Sequence, residues 1–353
     1  MKTIKVLIVD DSKLVREILS EVMAKFSDVT VVGAARDAFE AREMIKALDP
    51  EVITLDVEMP KMDGITFLKN IMRLRPMPVI MLSTLTSEGA ETTLEALECG
   101  AIDFISKPRS SELLGNINEF SEELHEKINL AAKAQVNTLI AQKNKKVCQF
   151  ESNSMNLNNH IIALGASTGG TEALRDVLSM FPVNSPAIVV TQHIPKNFSK
   201  RFASRLNAHC DLSVQEAKQG TILKPGNIYI APGDQHLIIK DLNNQYICQL
   251  SDEPARNRHK PSVDVMFESL SKLNTANIYA GLLTGMGNDG ASGLLTLKQQ
   301  GHYTLIQNKA TSLIWGMPGA ASKLNAHCDE ASLTNIAITL LNNIKHKMVN
   351  RTT

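Results

Sequence analysis

Gly165-Ala166-Ser167-Thr168-Gly169-Gly170 lies between an apolar run, Ile161-Ile162-Ala163-Leu164, and a helix-forming run, Thr171-Glu172-Ala173-Leu174-Arg175-Asp176-Val177-Leu178. The order is strand, glycine turn, helix. A serine on such a turn is lifted out of the sheet and set at a helix N-terminus, where backbone N–H groups can hold a developing oxyanion. The glycines permit the sharp turn and a close approach by substrate. G-x-S-x-G turns also bind phosphates, so the motif acquires meaning only with a base and an orienting acid elsewhere in the chain.

The chain has 353 residues, enough for two domains with separate cores. Hydrophobic residues make up 43%, which marks a globular protein. Lys+Arg and Asp+Glu both number 37, so no basic excess exists to support bulk nucleic-acid binding. Five scattered Cys, with no C-x-x-C, make no disulfide framework and suit a reducing cytoplasm. The N-terminal run Ile4–Val9 stops at Asp10-Asp11 and lacks a signal-peptide h-region, and no run approaches a membrane span. A soluble intracellular protein, without direct membrane insertion, is expected.

In the first third, short apolar strands alternate with amphipathic helices five times: strands over 4–9, 29–34, 52–55, 78–82 and 101–105. That pattern predicts a doubly wound, Rossmann-like α/β domain with a five-stranded parallel sheet. Its polar residues collect where such folds bind ligands, at strand C-terminal ends. Asp10 and Asp11 leave the first strand, Asp56 the third, Ser83 the fourth and Lys107 the fifth. Three crowded carboxylates repel unless a hard cation joins them, and oxygen ligands suit Mg²⁺. A lysine and a hydroxyl beside them would bind a phosphoryl group.

The spacing of Leu113, Ile117, Phe120, Leu124 and Ile128 predicts a helix over 111–132. A polar, Asn-punctuated run with Lys143, Lys145 and Lys146 then reads as a linker with a solvated basic face. Beyond the serine turn, Ala187–Gln192 reads as a buried strand with His193 at its end, and Ile278–Leu283 as another, ending in Thr284-Gly285-Met286-Gly287-Asn288-Asp289-Gly290. Strands near 212–217, 227–231, 236–240 and 246–250 intervene. Tyr303–Gln307 reads as the last strand, followed by helices to the C-terminus.

Serine, histidine and aspartate thus each lie just past an apolar strand. Serine needs a base, histidine is one near neutrality, and a buried acid orients the imidazole. His236 and His259 compete with His193 for the base, and Asp234 and Asp264 with Asp289 for the acid. The order Ser…His…Asp differs from the Ser…Asp/Glu…His of α/β-hydrolases. One near repeat, 203–211 against 321–329, carries two His-Cys pairs. Adjacent ligands lack zinc spacing, so the repeat reads as two similar helix C-termini.

Residues 1–125 resemble a response-regulator receiver through Val9-Asp10-Asp11-Ser12, Leu55-Asp56-Val57-Glu58-Met59-Pro60, Asp63-Gly64, Ser83 and Lys107-Pro108. The resemblance implies that Asp56 takes a phosphoryl group from a histidine kinase. It implies that Asp10, Asp11, Asp56 and the Glu58 carbonyl hold Mg²⁺, and that Ser83 and Lys107 contact the phosphoryl oxygens. Phe104 falls at that family's aromatic switch position, where a core phenylalanine is also natural.

Residues 158–348, after a linker over 126–157, resemble the catalytic domain of the protein-glutamate methylesterases, the CheB family. The matching pieces are Gly165–Gly170, Thr191-Gln192-His193-Ile194-Pro195, Glu216-Ala217, Ala231-Pro232-Gly233 with His236, Pro261-Ser262-Val263-Asp264, Leu283–Gly290 and Gly316-Met317-Pro318. Asn308 and Gly319 depart from the family pattern, where acidic and basic residues are common. The resemblance implies a second, mostly parallel doubly wound domain. In it Ser167 is nucleophile, His193 base, Asp289 orienting acid, and Thr168, Gly169 and Met286 surround the oxyanion and substrate. It also implies phosphorylation-activated hydrolysis of γ-glutamyl methyl esters on methylated chemoreceptors, with receptor-glutamine deamidation, and no cofactor for the ester chemistry. A cytoplasmic monomer recruited to membrane receptor arrays is expected, its receiver covering the Ser167 edge until Asp56 is phosphorylated. The competing functions are a receiver-controlled hydrolase of small esters and a phosphorylation-dependent binding regulator.

Overall fold

The structure, a computed structural model, describes residues 3–83, 87–107, 117–134, 147, 148, 150, 157–243 and 245–349. The chain separates into two compact units, Met1–Ala141 and Gln142–Thr353. Pro108, Leu113 and the lysine-rich part of the expected linker lie outside the described residues.

In the first unit, strands β1 (Ile4–Val9), β2 (Val29–Ala35), β3 (Val52–Asp56), β4 (Val79–Ser83) and β5 (Asp103–Ser106) alternate with helices α1 (Lys13–Met23), α2 (Ala38–Leu48), α3 (Gly64–Leu74), α4 (Ser87–Glu98) and α5 (Ile117–Ala131). All pair in parallel, in the order β2-β1-β3-β4-β5. Residues of β3 and β4 are buried throughout, which is why these segments read as continuous apolar runs rather than alternating ones. Ser12, Asp37 and Asp63 start their helices by accepting hydrogen bonds from first-turn N–H groups. The order reverses at β1, so the crevice past β1 and β3 is the natural ligand edge.

The second unit contains β6 (His160–Ala166), α6 (Gly170–Leu178), β7 (Ala187–Gln192), α7 (Lys196–Asn207), β8 (Ser213–Glu216), β9 (Asn227–Ile230), β10 (His236–Leu242) and β11 (Gln245–Ser251). It continues with α8 (Val263–Ser271), β12 (Asn277–Leu282), α9 (Ala291–Gln299), β13 (Tyr303–Gln307), α10 (Met317–Lys323), β14 (Asp329–Ala331) and α11 (Ile336–Val349). Seven strands form a parallel sheet, β14-β13-β12-β6-β7-β9-β8, and β10 and β11 form an antiparallel pair of their own. The expectation that β13 is last is corrected: β14 adds an edge strand beside it. With three residues, two of them exposed acids, β14 has no apolar run to announce it. The near repeat spans the last turn of α7 and of α10 and the residues that follow each.

Wiring proceeds from β6 to β7 on one side, then returns to β12 on the other. The switch point therefore lies at the carboxyl ends of β6, β7 and β12, where Ser167, His193 and the loop to Asp289 emerge. Strand pairing runs past these ends: Ser167 N–H bonds Thr284 O, His193 N–H bonds Ala166 O, and Leu283 N–H bonds Gly165 O. Val263, at the start of α8, packs into the notch left by the missing side chain of Gly165. A Cβ there would stand 2.3 Å from Val263 Cγ1 and 2.9 Å from Cγ2. Gly165→Ala is accordingly expected to push α8 outward and destabilise the second unit by about 1–3 kcal/mol, read by denaturant unfolding.

Candidate active site

Ser167 sits between β6 and α6. The left-handed residue of the turn is Gly169, at φ 71°, not the serine. A side chain at Gly169 would strike Leu313, and one at Gly170 the Gln192 carboxamide at 2.2 Å. The Gln192 amide donates to Ser167 O at 2.9 Å and His193 O at 3.2 Å, fastening the ends of β6 and β7 together. Thr284 does the same for β12: its hydroxyl donates to Thr168 O and accepts from Ile314 N–H. The structure thus brings together the serine and histidine singled out in the sequence. His193 Nδ1 lies 3.0 Å from Ser167 Oγ, and Nε2 lies 2.8 Å from Asp289 Oδ2. With Nε2–H donating to the carboxylate, Nδ1 is free of its proton and accepts from the serine hydroxyl.

Asp289 is 1% exposed, and its two oxygens are crowded with donors. Oδ2 accepts from Val263 N–H at 2.6 Å in addition to His193. Oδ1 accepts from Ser262 Oγ at 2.8 Å and Asn257 Nδ2 at 2.9 Å, with Asp264 N–H at 3.3 Å. Burial alone would raise its pKa. The hydrogen bond and charge of His193, with those from Asn257 and Ser262, overcome burial and hold the carboxyl well below the usual range. The N-cap Ser262 and the first turn of α8 together supply three of these donors, so Asp289 also meets a helix N-terminus. The rival residues have other places. His236 is fully buried in β10, accepting from Ser262 N–H through Nδ1 and donating to Pro254 O through Nε2. Asp234 is exposed. Asp264 is buried and bonds the Gly293 N–H. His259 lies against His193, ring centroids 3.7 Å apart. Sequence reasoning assigned no role to Asn257, Ser262, Gln192 or Thr284. Their only signal is position: Gln192 ends β7, Thr284 follows β12 and Ser262 precedes α8, while Asn257, in the turn before α8, carries no such mark.

Gly285 packs against Ser167, for a Cβ there would lie 2.8 Å from Ser167 Cβ. Met286 follows Gly285 in the chain. Of the two departures, Asn308 accepts from the Thr311 N–H and hydroxyl. Gly319 abuts Trp315, which leaves 2.9 Å for any Cβ. The arrangement can transfer a proton from serine to imidazole while a permanent anion steadies the imidazolium.

In the first unit, ligand atoms of Asp10, Asp11 and Asp56 lie within 4.8 Å of one another. Asp10 and Asp56 are buried and Asp11 is exposed. Lys107 Nζ stands 2.8 Å from Asp10 Oδ2 and 2.7 Å from Asp56 Oδ1. Among the described residues, Asp10 Oδ2 nevertheless has no hydrogen bond of good geometry. Glu58 N–H donates to Asp56 Oδ1. Ser83, at the end of β4, bonds the Thr93 hydroxyl. Phe104 is buried, with the Lys127 ammonium 5.3 Å over its ring.

Fold and geometry together define a two-unit protein: a doubly wound domain with an acidic carboxyl edge, and a serine-hydrolase arrangement on a larger parallel sheet. The CheB methylesterase family matches residues 162–340, and the response regulator receiver domain matches residues 6–118. A protein-glutamate methylesterase/protein-glutamine glutaminase of Xanthomonas oryzae pv. oryzae is 49% identical over 347 residues, 96% of each chain. One from Escherichia coli is 46% identical over 342 residues, 97% of each. The crystal structure of the Thermotoga maritima CheB methylesterase catalytic domain covers 52% of this chain and 97% of its own, at 33% identity and a TM-score of 0.50. The chain belongs to the protein-glutamate methylesterase/protein-glutamine glutaminase family.

Burial raises the Asp56 pKa to about 6 even though Lys107 pulls it down. A carboxyl whose folded value exceeds its unfolded one binds its proton more tightly when folded, so its ionisation destabilises the fold. In buffer with a chelator, Asp56→Asn is expected to stabilise the protein at neutral pH by about 1–3 kcal/mol. That gain should fade as the pH drops from about 6 towards the ordinary 3.8, which thermal melts across pH will show.

Proposed function

We propose that the chain hydrolyses γ-glutamyl methyl esters of chemoreceptors, releasing methanol, and deamidates receptor glutamines by the same route. The observation that carries the reading is the unbroken line Ser167 Oγ, His193 Nδ1, His193 Nε2, Asp289 Oδ2, at 3.0 and 2.8 Å, in a chain of this family. His193 Nδ1 takes the hydroxyl proton as Ser167 Oγ bonds to the ester carbonyl carbon. The carbonyl oxygen becomes an oxyanion, held by backbone N–H groups of the Thr168–Gly169 turn and of Met286. As the tetrahedral adduct collapses, the C–OCH₃ bond breaks and His193 returns the proton to the methoxide. Water then attacks the acyl-serine, His193 takes its proton, and Ser167 is regenerated as glutamate leaves. For glutamine the leaving group is ammonia. Asp289, kept ionised by its five donors, stabilises the imidazolium at each transfer.

The first unit is read as the control element, Asp56 accepting the phosphoryl group from a histidine kinase, with Ser83 and Lys107 contacting it. Three carboxylates and a carbonyl make an all-oxygen donor set. Asp10, Asp11, Asp56 and the Glu58 carbonyl would hold Mg²⁺, which supplies charge neutralisation at the phosphoryl oxygens. Among the described residues no helix is long and apolar enough to cross a membrane. Action at receptor arrays is therefore proposed to occur by recruitment.

Methanol release from methylated chemoreceptor membranes tests the chemistry. Ser167→Ala should lose about 10⁶-fold in kcat and Asp289→Asn about 10⁴-fold. Wild-type release by Ser167→Ala would refute the reading, and faster turnover of small soluble esters than of receptor would favour a small-ester hydrolase. Control is tested separately. A phosphoryl donor should accelerate the wild-type chain and leave Asp56→Asn unmoved, and equal rates with and without donor would remove the control role.

A further inference from the structure

The turn Arg256-Asn257-Arg258-His259 touches both the base and the acid. Arg256 and His259 bond each other's backbone in both directions, N–H to O, at 3.0 and 2.8 Å. Between them Asn257 and Arg258 hold φ of 52° and 67°. A two-residue turn with both central residues left-handed is stiff, and Asn is among the few side chains that accept that backbone. Arg256 fastens the turn to α8 through two hydrogen bonds to the Glu268 carboxylate, at 2.7 and 2.6 Å. A planar fork on a carboxylate fixes direction as well as distance.

Two side chains lead from this turn to the triad. The Asn257 amide donates to Asp289 Oδ1 and to Asp264 Oδ2, each at 2.9 Å. Asp264 is itself held by the Gly293 N–H at 2.7 Å, at the start of α9. The His259 ring lies flat on the His193 ring, centroids 3.7 Å apart and planes 14° apart. The need for such support is geometric. The two hydrogen bonds of His193 lie in its own plane and restrain rotation within that plane. They resist tilting out of it only weakly, and a ring against the face supplies what they lack.

We propose that this turn is a positioning clip. His259 holds the plane of His193 and Asn257 holds the Asp289 carboxylate, so that Nδ1 stays on Ser167 and Nε2 on Asp289 through the reaction cycle. The proposal rests on the reading of Ser167, His193 and Asp289 as the hydrolytic triad. Both residues act through the triad, so the expected loss is in kcat and not in KM.

The test uses the full chain and methanol release from methylated chemoreceptor membranes, with thermal melts of each variant. His259→Ala should lower kcat by about 10²-fold, and His259→Phe, which keeps a flat ring, should restore it to within about threefold of wild type. Asn257→Gly keeps the left-handed backbone open while deleting the amide, and should lower kcat by about tenfold with KM unchanged. Wild-type kcat in His259→Ala and Asn257→Gly would overturn the clip. Equal impairment of His259→Phe and His259→Ala would also overturn it, by assigning the effect to the His259 nitrogens and not to its ring face. Ser167→Ala, run alongside, separates the two levels: if it is inactive while the clip variants match wild type, the triad stands and the clip falls.

Discussion

The second unit is organised around one buried anion. Asp289 is removed from water and would by burial alone prefer to be neutral. It stays charged because hydrogen-bond donors from three places converge on it: the start of α8, the Asn257 turn and the imidazole of His193. Each donor constrains an element. Val263 N–H and Ser262 Oγ can reach the carboxylate only because α8 starts close to β6, and α8 starts there because Gly165 has no side chain to keep Val263 away. Serine and histidine reach the same place because β6 and β7 are adjacent and in register, Gly165 opposite Thr191 and Ala166 opposite Gln192. A parallel sheet thus converts three strand ends, distant in sequence, into one line of polar atoms.

Much of this arrangement was legible in the chain, and the reason is physical. Buried parallel strands must be apolar along their whole length, so β6, β7 and β12 stand out, and polar residues just beyond them fall on one edge. The strand β14 was illegible for the opposite reason. Its Asp329 and Glu330 are exposed, and it joins the sheet through backbone pairing with β13, which side-chain periodicity does not record. The supporting residues were hidden in another way. Ser262 is the N-cap of α8, accepting from Val265 N–H while its hydroxyl donates to Asp289, and a capping serine looks the same in sequence with or without that second bond. His236 and His259 looked like competing bases. One braces the Ser262 segment and the other lies on the base itself. Choosing among three histidines by strand position identified the one whose nitrogens meet serine and aspartate, but position alone could not say what the other two were for.

Each unit carries a carboxylate at a sheet switch point, and their environments set them apart. Asp289 has its oxygens saturated by donors, and its pKa falls. Asp56 is almost equally buried, at 2% exposed. Among the described residues it has Lys107 and one backbone N–H for donors, with Asp10 repelling it, and burial raises its pKa to about 6. The difference suits the two proposed duties. An orienting acid must never change charge or find a new partner, and full coordination by protein donors ensures both. A phosphoryl acceptor must offer an unshared oxygen lone pair, which full coordination would forbid. The cost of leaving Asp56 underdonated is instability of its ionised form, and a cation or a phosphoryl group with its own counter-charge would relieve that cost. The same fold principle therefore yields a fixed charge in one unit and a charge open to change in the other, and the number of donors around each carboxylate decides which.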